Sequence, residues 1–237
     1  MRRRTLVTVG AAAGAAAAWS APATAPIAPV VARALRIPTR LAHAHGVALT
    51  FDDGPHAEGT PAVLEALDRA GADATFFLVG EQVERDPGLA AEIVAAGHTV
   101  GLHGYRHRMH ILRTPSALAS DLARSIATVE DAIGEAASWY RPPFGVFAYA
   151  SLDLVRSSGR RPILWSRWGK DWRRSATAES IAAEVTNGLG AGDVVLLHDA
   201  DHHSSEGSWR RTAAALPAIF ESVAELGEPF VPLSQST

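Results

Sequence analysis

The chain has 237 residues, of which 47% are hydrophobic and 20% are charged, and its formal net charge is −3 at pH 7. This composition excludes a generally disordered chain and gives no basis for a nucleic-acid or anionic-membrane partner. Because the sequence contains no cysteine, it excludes disulfides and thiolate metal sites, and any metal would be bound by His, Asp or Glu. The length fits one large domain, since α/β barrels often use about 200–250 residues as a single unit.

The N-terminus has the pattern of an export signal. Three arginines at positions 2–4 precede an apolar, Ala-rich run over residues 6–19, and residues 21–25 offer two small-x-small cleavage sites. The pattern predicts a signal peptide over residues 1–25, and Arg3-Arg4 followed by TLV resembles a twin-arginine signal. A retained anchor is the weaker alternative, because this apolar run of about 14 residues is shorter than the roughly 20 that span a bilayer. We therefore expect a secreted or cell-wall-associated protein, most simply a monomer, with no stable membrane partner.

Residues 26–45 form a Pro- and Ala-containing connector in which we expect only partial order, and residues 46–237 form one domain. In this domain, short β-prone runs alternate with amphipathic stretches, which is typical of parallel strands joined by crossover helices. Strands are predicted at residues 47–51, 74–78, 99–102, 139–141, 162–165, 194–197 and 230–231. Helices are predicted at residues 60–70, 81–96 with an interruption at Pro87, 116–133, 148–157, 178–187 and 209–226. Glycines that fit left-handed helix C-caps follow four of these helices: Gly71, Gly97, Gly134 and Gly227.

Polar residues follow the predicted strands repeatedly. In a parallel barrel, functional side chains gather on the loops after the carboxyl ends of the strands. The residues at those positions are Asp52 and Asp53, His103 and His107, Arg141, Asp171, and His198 and Asp199. This placement predicts one functional site at one end of the barrel.

The stretch VALTFDDGP places Asp52 and Asp53 between a buried strand and a turn, and GLHGYRH places His103 and His107 four residues apart. Each motif has a structural alternative, since Asp before a turn caps backbone amides and a single His at a strand end often makes only a structural hydrogen bond. Together, two imidazoles and one carboxylate match a three-ligand catalytic zinc site with an open position for water. If Asp53 binds the ion, Asp52 can accept the proton of the attacking water.

The stretch RPPFG removes two backbone donors, so Phe144 supplies the first N–H after Arg141. That amide is a candidate oxyanion donor, and Arg141 is a candidate partner for Asp52. The alternative, to which the residues alone give equal weight, is a rigid Pro-Pro loop with Arg141 in a surface ion pair.

Three tryptophans, Trp165, Trp168 and Trp172, stand within eight residues, and aromatic faces suit sugar rings or an acetyl methyl group. We expect Trp165 to pack in the core and Trp172 to line a pocket. His198 ends a fully apolar strand, where it can act as a general acid. The paired histidines of the later segment, residues 201–209, could bind a metal, but a solvated polar loop is favoured.

The motifs TFDDGP, RPPFG and LLHD, in this order, resemble those of the polysaccharide deacetylase family, also called carbohydrate esterase family 4 or the NodB homology domain. The resemblance covers roughly residues 47–233. It implies a distorted (β/α)7 barrel, similar to a TIM barrel, and hydrolysis of acetyl groups from N-acetyl amino sugars or O-acetylated polysaccharides. Peptidoglycan, chitin-like glycans and acetylxylan are all candidate substrates. The implied cofactor is a divalent metal, with Zn²⁺ expected first and Co²⁺, Ni²⁺ or Mn²⁺ as alternatives.

The resemblance also implies a role for each matching residue. Asp52 would be the general base, Arg141 its partner, and His198 the general acid. The metal ligands would be Asp53, His103 and His107, and the acetyl pocket would be lined by Leu196 and Trp172, with the Phe144 N–H at the oxyanion.

Two positions depart from the family pattern. Gly104 stands where Ser or Thr usually braces the loop, which affects the expected metal affinity or loop rigidity. Trp168 replaces the earlier of two acidic residues, leaving Asp171 to orient Arg141 or His198. Two alternative functions remain beside the deacetylase. One is a catalytically impaired carbohydrate-binding barrel, and the other is a metal hydrolase of another acyl substrate.

Overall fold

The computed structural model describes residues 19–233, which fold around one all-parallel sheet. The strands are β1 Ala48–Asp52, β2 Ala74–Leu78, β3 Thr99–Leu102, β4 Trp139–Tyr140, β5 Arg161–Pro162, β6 Arg167–Trp168 and β7 Val194–His198. Their order is β5-β4-β3-β2-β1-β7-β6, so β5 and β6 form the two edges and the sheet curls into a half-barrel. The expected distorted (β/α)7 barrel is thereby confirmed.

Helices precede, separate and follow the strands, and those between strands form the crossovers. They are α1 Pro29–Ala34, α2 Gly59–Ala70, α3 Gly80–Arg85, α4 Pro87–Ala95, α5 Pro115–Ile133, α6 Tyr149–Ser157, α7 Ala178–Thr186 and α8 Ser208–Glu225. Helix α5 shows why they form, because its buried residues recur every three or four positions and make one apolar face. It ends at Gly134, whose φ of 75° is the left-handed conformation that the sequence predicts for a C-cap.

The strand register brings the polar loops together. Strand β1 lies between β2 and β7, and Asp52 at its end is in register with His198 at the end of β7. Leu102, at the end of β3, is in register with Tyr140 on β4. Because every pair is parallel, the residues that follow β1, β3, β4 and β7 meet at one edge of the sheet.

Two strand predictions are wrong in detail. Phe230 forms only an isolated bridge with Val47 and no strand of the sheet. The strand predicted over residues 162–165 overlaps β5 only at Pro162, because Leu164 donates its N–H to the Pro38 carbonyl (2.9 Å) instead of to a neighbouring strand, and β6 begins beyond the predicted range. Strand β6 therefore supplies the seventh strand of the sheet by pairing with β7.

The segment before β1 packs on the half-barrel. Ala25, Ala32 on α1 and Ile37 are only 2–3% exposed. Arg40 forms an ion pair with Asp193. The predicted connector over residues 26–45 thus contributes to the core, whereas most of the predicted signal peptide lies outside the described residues. Within residues 19–233, no helix has the length and apolar character that crossing a bilayer requires.

Candidate active site

A cavity of about 370 Å³ opens at the carboxyl edge of the sheet. Eight of the residues that the sequence singles out line it: Asp52, Asp53, His103, His107, Phe144, Trp172, Leu196 and His198. The other two, Arg141 and Asp171, are fully buried and contact Asp52 and His198, respectively, from behind. The fold therefore collects all ten sequence-predicted site residues in and directly behind one cavity.

Three potential ligand atoms converge in this cavity. The Oδ1 atom of Asp53 lies 3.4 Å from Nε2 of His103 and 3.2 Å from Nε2 of His107. The Nδ1 atom of His103 lies 2.8 Å from the Arg141 carbonyl oxygen, to which only an N–H can donate. In the neutral ring, the Nε2 lone pair of His103 therefore points toward the carboxylate, as in a histidine oriented to bind a metal.

The electrostatics of the three groups fit a bound cation. Burial raises the pKa of Asp53, but the adjacent His103 and the charge of His198 outweigh it, so its pKa lies below its ordinary value. Burial lowers the pKa of His107 to about 3 and keeps its imidazole neutral. The buried Asp53 Oδ1 has no hydrogen-bond donor among the described residues. A site with two imidazoles and one carboxylate suits zinc and other divalent transition metals.

The turn after β1 aims the Asp53 carboxylate into the cavity. Asp53 has a φ of 77°, a left-handed conformation that Asp tolerates better than most residues. The next residue, Gly54, leaves room for a buried carboxyl group, since a Cβ there would lie 2.5 Å from Oδ2 of Asp199. Asp199 in turn accepts a hydrogen bond from Thr60, and burial raises its pKa to about 7. The DDGP turn is thus built around the last residue of the LLHD motif.

Arg141 holds the second carboxylate of the pair. Its Nη1 donates to Oδ1 of Asp52 (2.7 Å) and to Oγ1 of Thr50 (2.7 Å), and its Nη2 donates to the Leu164 carbonyl (3.1 Å). The guanidinium is fully buried and stacks on the Phe77 ring at 4.1 Å. This geometry excludes the surface ion pair that the sequence left open, and it fixes one Asp52 oxygen while the other faces the cavity.

On the opposite wall, Asp171 holds His198. Its Oδ1 lies 2.8 Å from Nδ1 of His198, and its Oδ2 accepts from the His198 backbone N–H (2.7 Å) and from Oγ1 of Thr212 (2.8 Å). Burial lowers the pKa of His198, but Asp171 and the two aspartates after β1 outweigh it and raise that pKa to about 10. The ring is thus held in its protonated form with Nε2 available to the cavity. Of the two partners expected for Asp171, the structure selects His198.

The loop after β4 places Phe144 at the cavity mouth. Phe144 has a φ of 61°, a strained conformation for an aromatic residue, and its side chain is 51% exposed. Its ring centroid lies 4.3 Å from that of His107. A strained residue in this position fits a backbone amide that is presented to a ligand.

Aromatic side chains form the third wall. Trp165 and Trp168 lie 5.7 Å apart between ring centroids, Trp168 and Trp172 lie 5.4 Å apart, and Trp172 meets His198 edge-on at 5.6 Å. Trp165 is 8% exposed, as expected of a core residue, yet it also lines the cavity. Its assignment to the core alone is therefore incomplete. Trp168, which replaces an acid, adds apolar surface to the same wall.

The loop around Gly104 is braced without a hydroxyl side chain. Gly104 has a φ of 79°, and its carbonyl accepts the Gly80 N–H at 2.9 Å. The neighbouring Tyr105 carbonyl accepts from the Glu81 N–H (2.9 Å), and the Tyr105 N–H donates to Asp121 (2.9 Å). These backbone hydrogen bonds fix the two histidines on either side of the glycine.

Sequence reasoning missed several residues of the site. His203 stacks on His107, with the ring centroids 4.0 Å apart and the planes 13° from parallel, and it lines the cavity. Thr212 and Thr50 hold Asp171 and Arg141. The HH pair of residues 202–203 was a visible signal for His203, whereas nothing in the local sequence marks the two threonines.

A second group of His and Asp side chains, His56, Asp201 and His202, lies nearby. The Nδ1 atom of His56 accepts the N–H groups of Glu58 (3.2 Å) and Gly59 (2.9 Å). Its proton therefore lies on Nε2, which donates to Oδ1 of Asp201 (3.2 Å). With both nitrogens engaged, His56 caps helix α2 and secures the loop, and it leaves no lone pair for a metal.

Comparison with known proteins finds a matching family profile, related sequences and similar solved structures. The profile of the family described as polysaccharide deacetylase matches residues 41–163. A peptidoglycan-N-acetylglucosamine deacetylase of Bacillus cereus is 34% identical over 191 residues, which cover 80% of this chain and 86% of that protein. A family 4 carbohydrate esterase from Streptomyces lividans, solved with acetate, matches with a TM-score of 0.73 at 29% identity, covering 81% of this chain and 95% of that one. An acetyl xylan esterase from Clostridium thermocellum, solved with cobalt, matches with a TM-score of 0.72 at 31% identity, covering 79% of this chain and 87% of that one.

Proposed function

Since the chain belongs to the polysaccharide deacetylase family, hydrolases of polysaccharide acetyl groups, we propose that it removes N-acetyl groups from peptidoglycan with a bound divalent metal. One observation carries the proposal: the adjacent aspartates point to different partners within one cavity. Asp53 meets His103 and His107, whereas Asp52 is held by Arg141. Peptidoglycan is favoured as substrate because the Bacillus cereus relative at 34% identity acts on its N-acetylglucosamine.

We propose that Asp53, His103 and His107 hold the cation. A divalent cation there would polarise the acetyl carbonyl and favour ionisation of the attacking water. Asp52 takes the proton from that water through the oxygen that Arg141 leaves facing the cavity. The buried Arg141 fixes this carboxylate in orientation.

The remaining residues act on the oxyanion and the leaving group. The Phe144 N–H donates to the oxygen of the tetrahedral intermediate. His198, held by Asp171, gives its proton to the departing amine from the opposite wall. Leu196 and Trp172 enclose the acetyl methyl group, which excludes bulk water from the reacting carbon.

The test is acetate release from peptidoglycan, chitooligosaccharide and acetylxylan by the purified chain before and after chelation. We expect release from peptidoglycan, loss after chelation, and recovery with Zn²⁺, with Co²⁺, Ni²⁺ and Mn²⁺ compared. Activity that survives chelation would refute metal dependence. Release confined to acetylxylan, or to a small acyl ester, would replace the proposed substrate.

We also propose that the protein is exported to the cell wall. The basic and apolar pattern of residues 1–25 supports this, and peptidoglycan is an extracellular polymer. Fractionation of expressing cells, with N-terminal sequencing of the wall-associated protein, tests it. Full-length protein found only in the cytosol would contradict the proposal.

A further inference from the structure

Arginine side chains flank the candidate metal ligand His107 on the outside of the site. Arg106 and Arg108 precede and follow it directly in the chain, and both are exposed. Arg113 is partly exposed and lines the same small surface depression as these two. Within residues 19–233, none of the three guanidinium groups makes an ion pair or a hydrogen bond. The nearby Arg124, in contrast, is paired with Glu84 at 3.1 Å.

The acidic residue of this depression does not neutralise it. Asp121 lines the depression, but its carboxylate accepts the Tyr105 N–H at 2.9 Å and so braces the loop of the two histidines. Burial raises the pKa of Asp121 against the lowering effects of that hydrogen bond and of the nearby Arg113 and Arg106 charges. Three arginines against one partly buried acid leave this surface of Arg106, Arg108 and Arg113, the arginine rim, positive, although the whole chain carries a net charge of −3.

The rim lies within reach of a polymer bound at the cavity. Consecutive Cα atoms are about 3.8 Å apart, so Arg106 and Arg108 begin one residue from His107, which lines the cavity. A glycan whose acetyl group enters the cavity must extend past its rim. Arg106 and Arg108 thus place two exposed guanidinium groups on the loop that carries His107, one residue to either side of a side chain that lines the cavity.

We infer that Arg106 and Arg108 bind carboxylates carried by the glycan, and that they select peptidoglycan, with its anionic stem peptides, over neutral N-acetylated oligosaccharides. The inference rests on the proposed function and names the feature of its substrate that this chain recognises. Guanidinium groups pair with carboxylates in a planar, two-point geometry that a neutral sugar hydroxyl does not offer. Chitin-like oligomers carry the same acetamide and no carboxylate, so the two substrates separate rim binding from chemistry.

The experiment compares Arg106→Gln/Arg108→Gln with the wild-type full chain and with Arg69→Gln, an exposed control on α2. Cosedimentation with insoluble peptidoglycan measures binding, and acetate release measures kcat/KM on peptidoglycan and on chitooligosaccharide. Because exposed ion pairs contribute little each, we expect peptidoglycan binding and kcat/KM to fall roughly two- to twenty-fold in the double variant. Chitooligosaccharide kinetics and the control should remain unchanged. The wild-type kcat/KM on peptidoglycan should also fall more steeply with salt than that of the variant.

Two further arms identify the anion. Peptidoglycan freed of phosphate-containing polymers should still bind the wild type more tightly than the double variant. Glycan strands freed of stem peptides should bind the two equally. The inference is overturned if the double variant binds peptidoglycan as the wild type does, or if its kcat/KM falls equally on peptidoglycan and on chitooligosaccharide. It is also overturned if the wild type binds anionic lipid vesicles in place of the wall polymer. A wild-type chain that releases no acetate from any substrate would refute the proposed function, while cosedimentation would still test the rim.

Discussion

The Nδ1 atom of His103 lies 2.8 Å from the carbonyl oxygen of Arg141, so one residue orients the candidate metal ligand His103 and, through its side chain, the proposed base Asp52. The Arg141 N–H also donates to the Leu102 carbonyl at 3.0 Å, which joins the end of β4 to the end of β3. Asp52 completes the arrangement through its bond to the Arg141 guanidinium (2.7 Å). Ligand and base are therefore positioned by one buried connection between neighbouring strands.

Replacing each aspartate of the pair in turn should separate metal binding from rate. Asp53→Asn removes the carboxylate between the two imidazoles, and we expect metal affinity to fall about 100-fold or more. Asp52→Asn leaves the three ligand atoms in place, so the metal should stay bound while kcat falls about 100- to 10,000-fold, the usual contribution of a general base. Metal content after dialysis and acetate release measure the two effects.

The two variants serve as controls for each other, because both remove one negative charge at neighbouring positions. Equal metal loss in both variants would refute the assignment of metal binding to Asp53 and proton transfer to Asp52. Near-normal kcat in metal-loaded Asp52→Asn would show that another group accepts the proton.

Thr212 on helix α8 should act as a positioning residue for the general acid. Its hydroxyl donates to Asp171, which holds His198, and Thr212 is not among the residues that line the cavity. Thr212→Val removes one of the three hydrogen bonds on this carboxylate, and kcat should fall roughly 2- to 12-fold, the equivalent of one neutral hydrogen bond. The alkaline limb of the pH profile should move upward, because the less stabilised carboxylate interacts more strongly with His198.

Thr212→Ser keeps the hydroxyl and should restore both kcat and the pH profile. If the serine variant is as impaired as the valine variant, the threonine methyl group and its packing determine the effect. An unchanged pH profile in Thr212→Val would likewise assign Thr212 to the core.

The central part of the fold could be predicted because local signals coincide there. Asp52, His103 and His198 each follow an apolar run that is too short for a helix, and parallel strands bring such ends to one edge. The glycines after the helices, such as Gly134, fixed the helix ends equally well. The candidate metal site of Asp53, His103 and His107 was thus predictable from residue type, strand position and family resemblance together.

Contacts between distant segments could not be predicted in the same way. Thr212 lies in an amphipathic helix like many others, and only the packing of that helix against β7 brings it to Asp171, 41 positions away in sequence. Trp165 lies in the predicted strand over residues 162–165 and is therefore expected in the core, but β5 ends at Pro162 and Trp165 also lines the cavity. The pairing of Leu164 with Pro38 is equally nonlocal, and it is why the fifth strand is shorter than the sequence predicts.

The segment before β1 should contribute to stability as part of the domain. Ile37 is 3% exposed and belongs to the main core, so Ile37→Ala should reduce the free energy of unfolding by about 2–5 kcal/mol. Ile27 is 75% exposed, and Ile27→Ala should change the free energy of unfolding by no more than about 0.5 kcal/mol. Urea unfolding followed by circular dichroism measures both, and equal effects would show that the segment does not fold with the barrel.

His110 should make the folded protein sensitive to mild acid. It is 5% exposed, its Nε2 lies 3.3 Å from the Tyr140 hydroxyl, and burial lowers its pKa from 6.5 to about 3. Between those two pH values the unfolded chain binds a proton at this position and the folded chain does not. The free energy of unfolding therefore falls as the pH falls, by about 1.4 kcal/mol per unit for this one group.

His110→Gln removes that titration. Although the variant is expected to be less stable at pH 7, its stability should decline less steeply than that of the wild type from pH 6.5 downward, because one proton fewer is taken up on unfolding. Urea unfolding of the chelated proteins at pH 7, 6 and 5 gives the two slopes without interference from metal release. Parallel slopes would mean that His110 is protonated in the folded state, which would contradict the buried neutral ring.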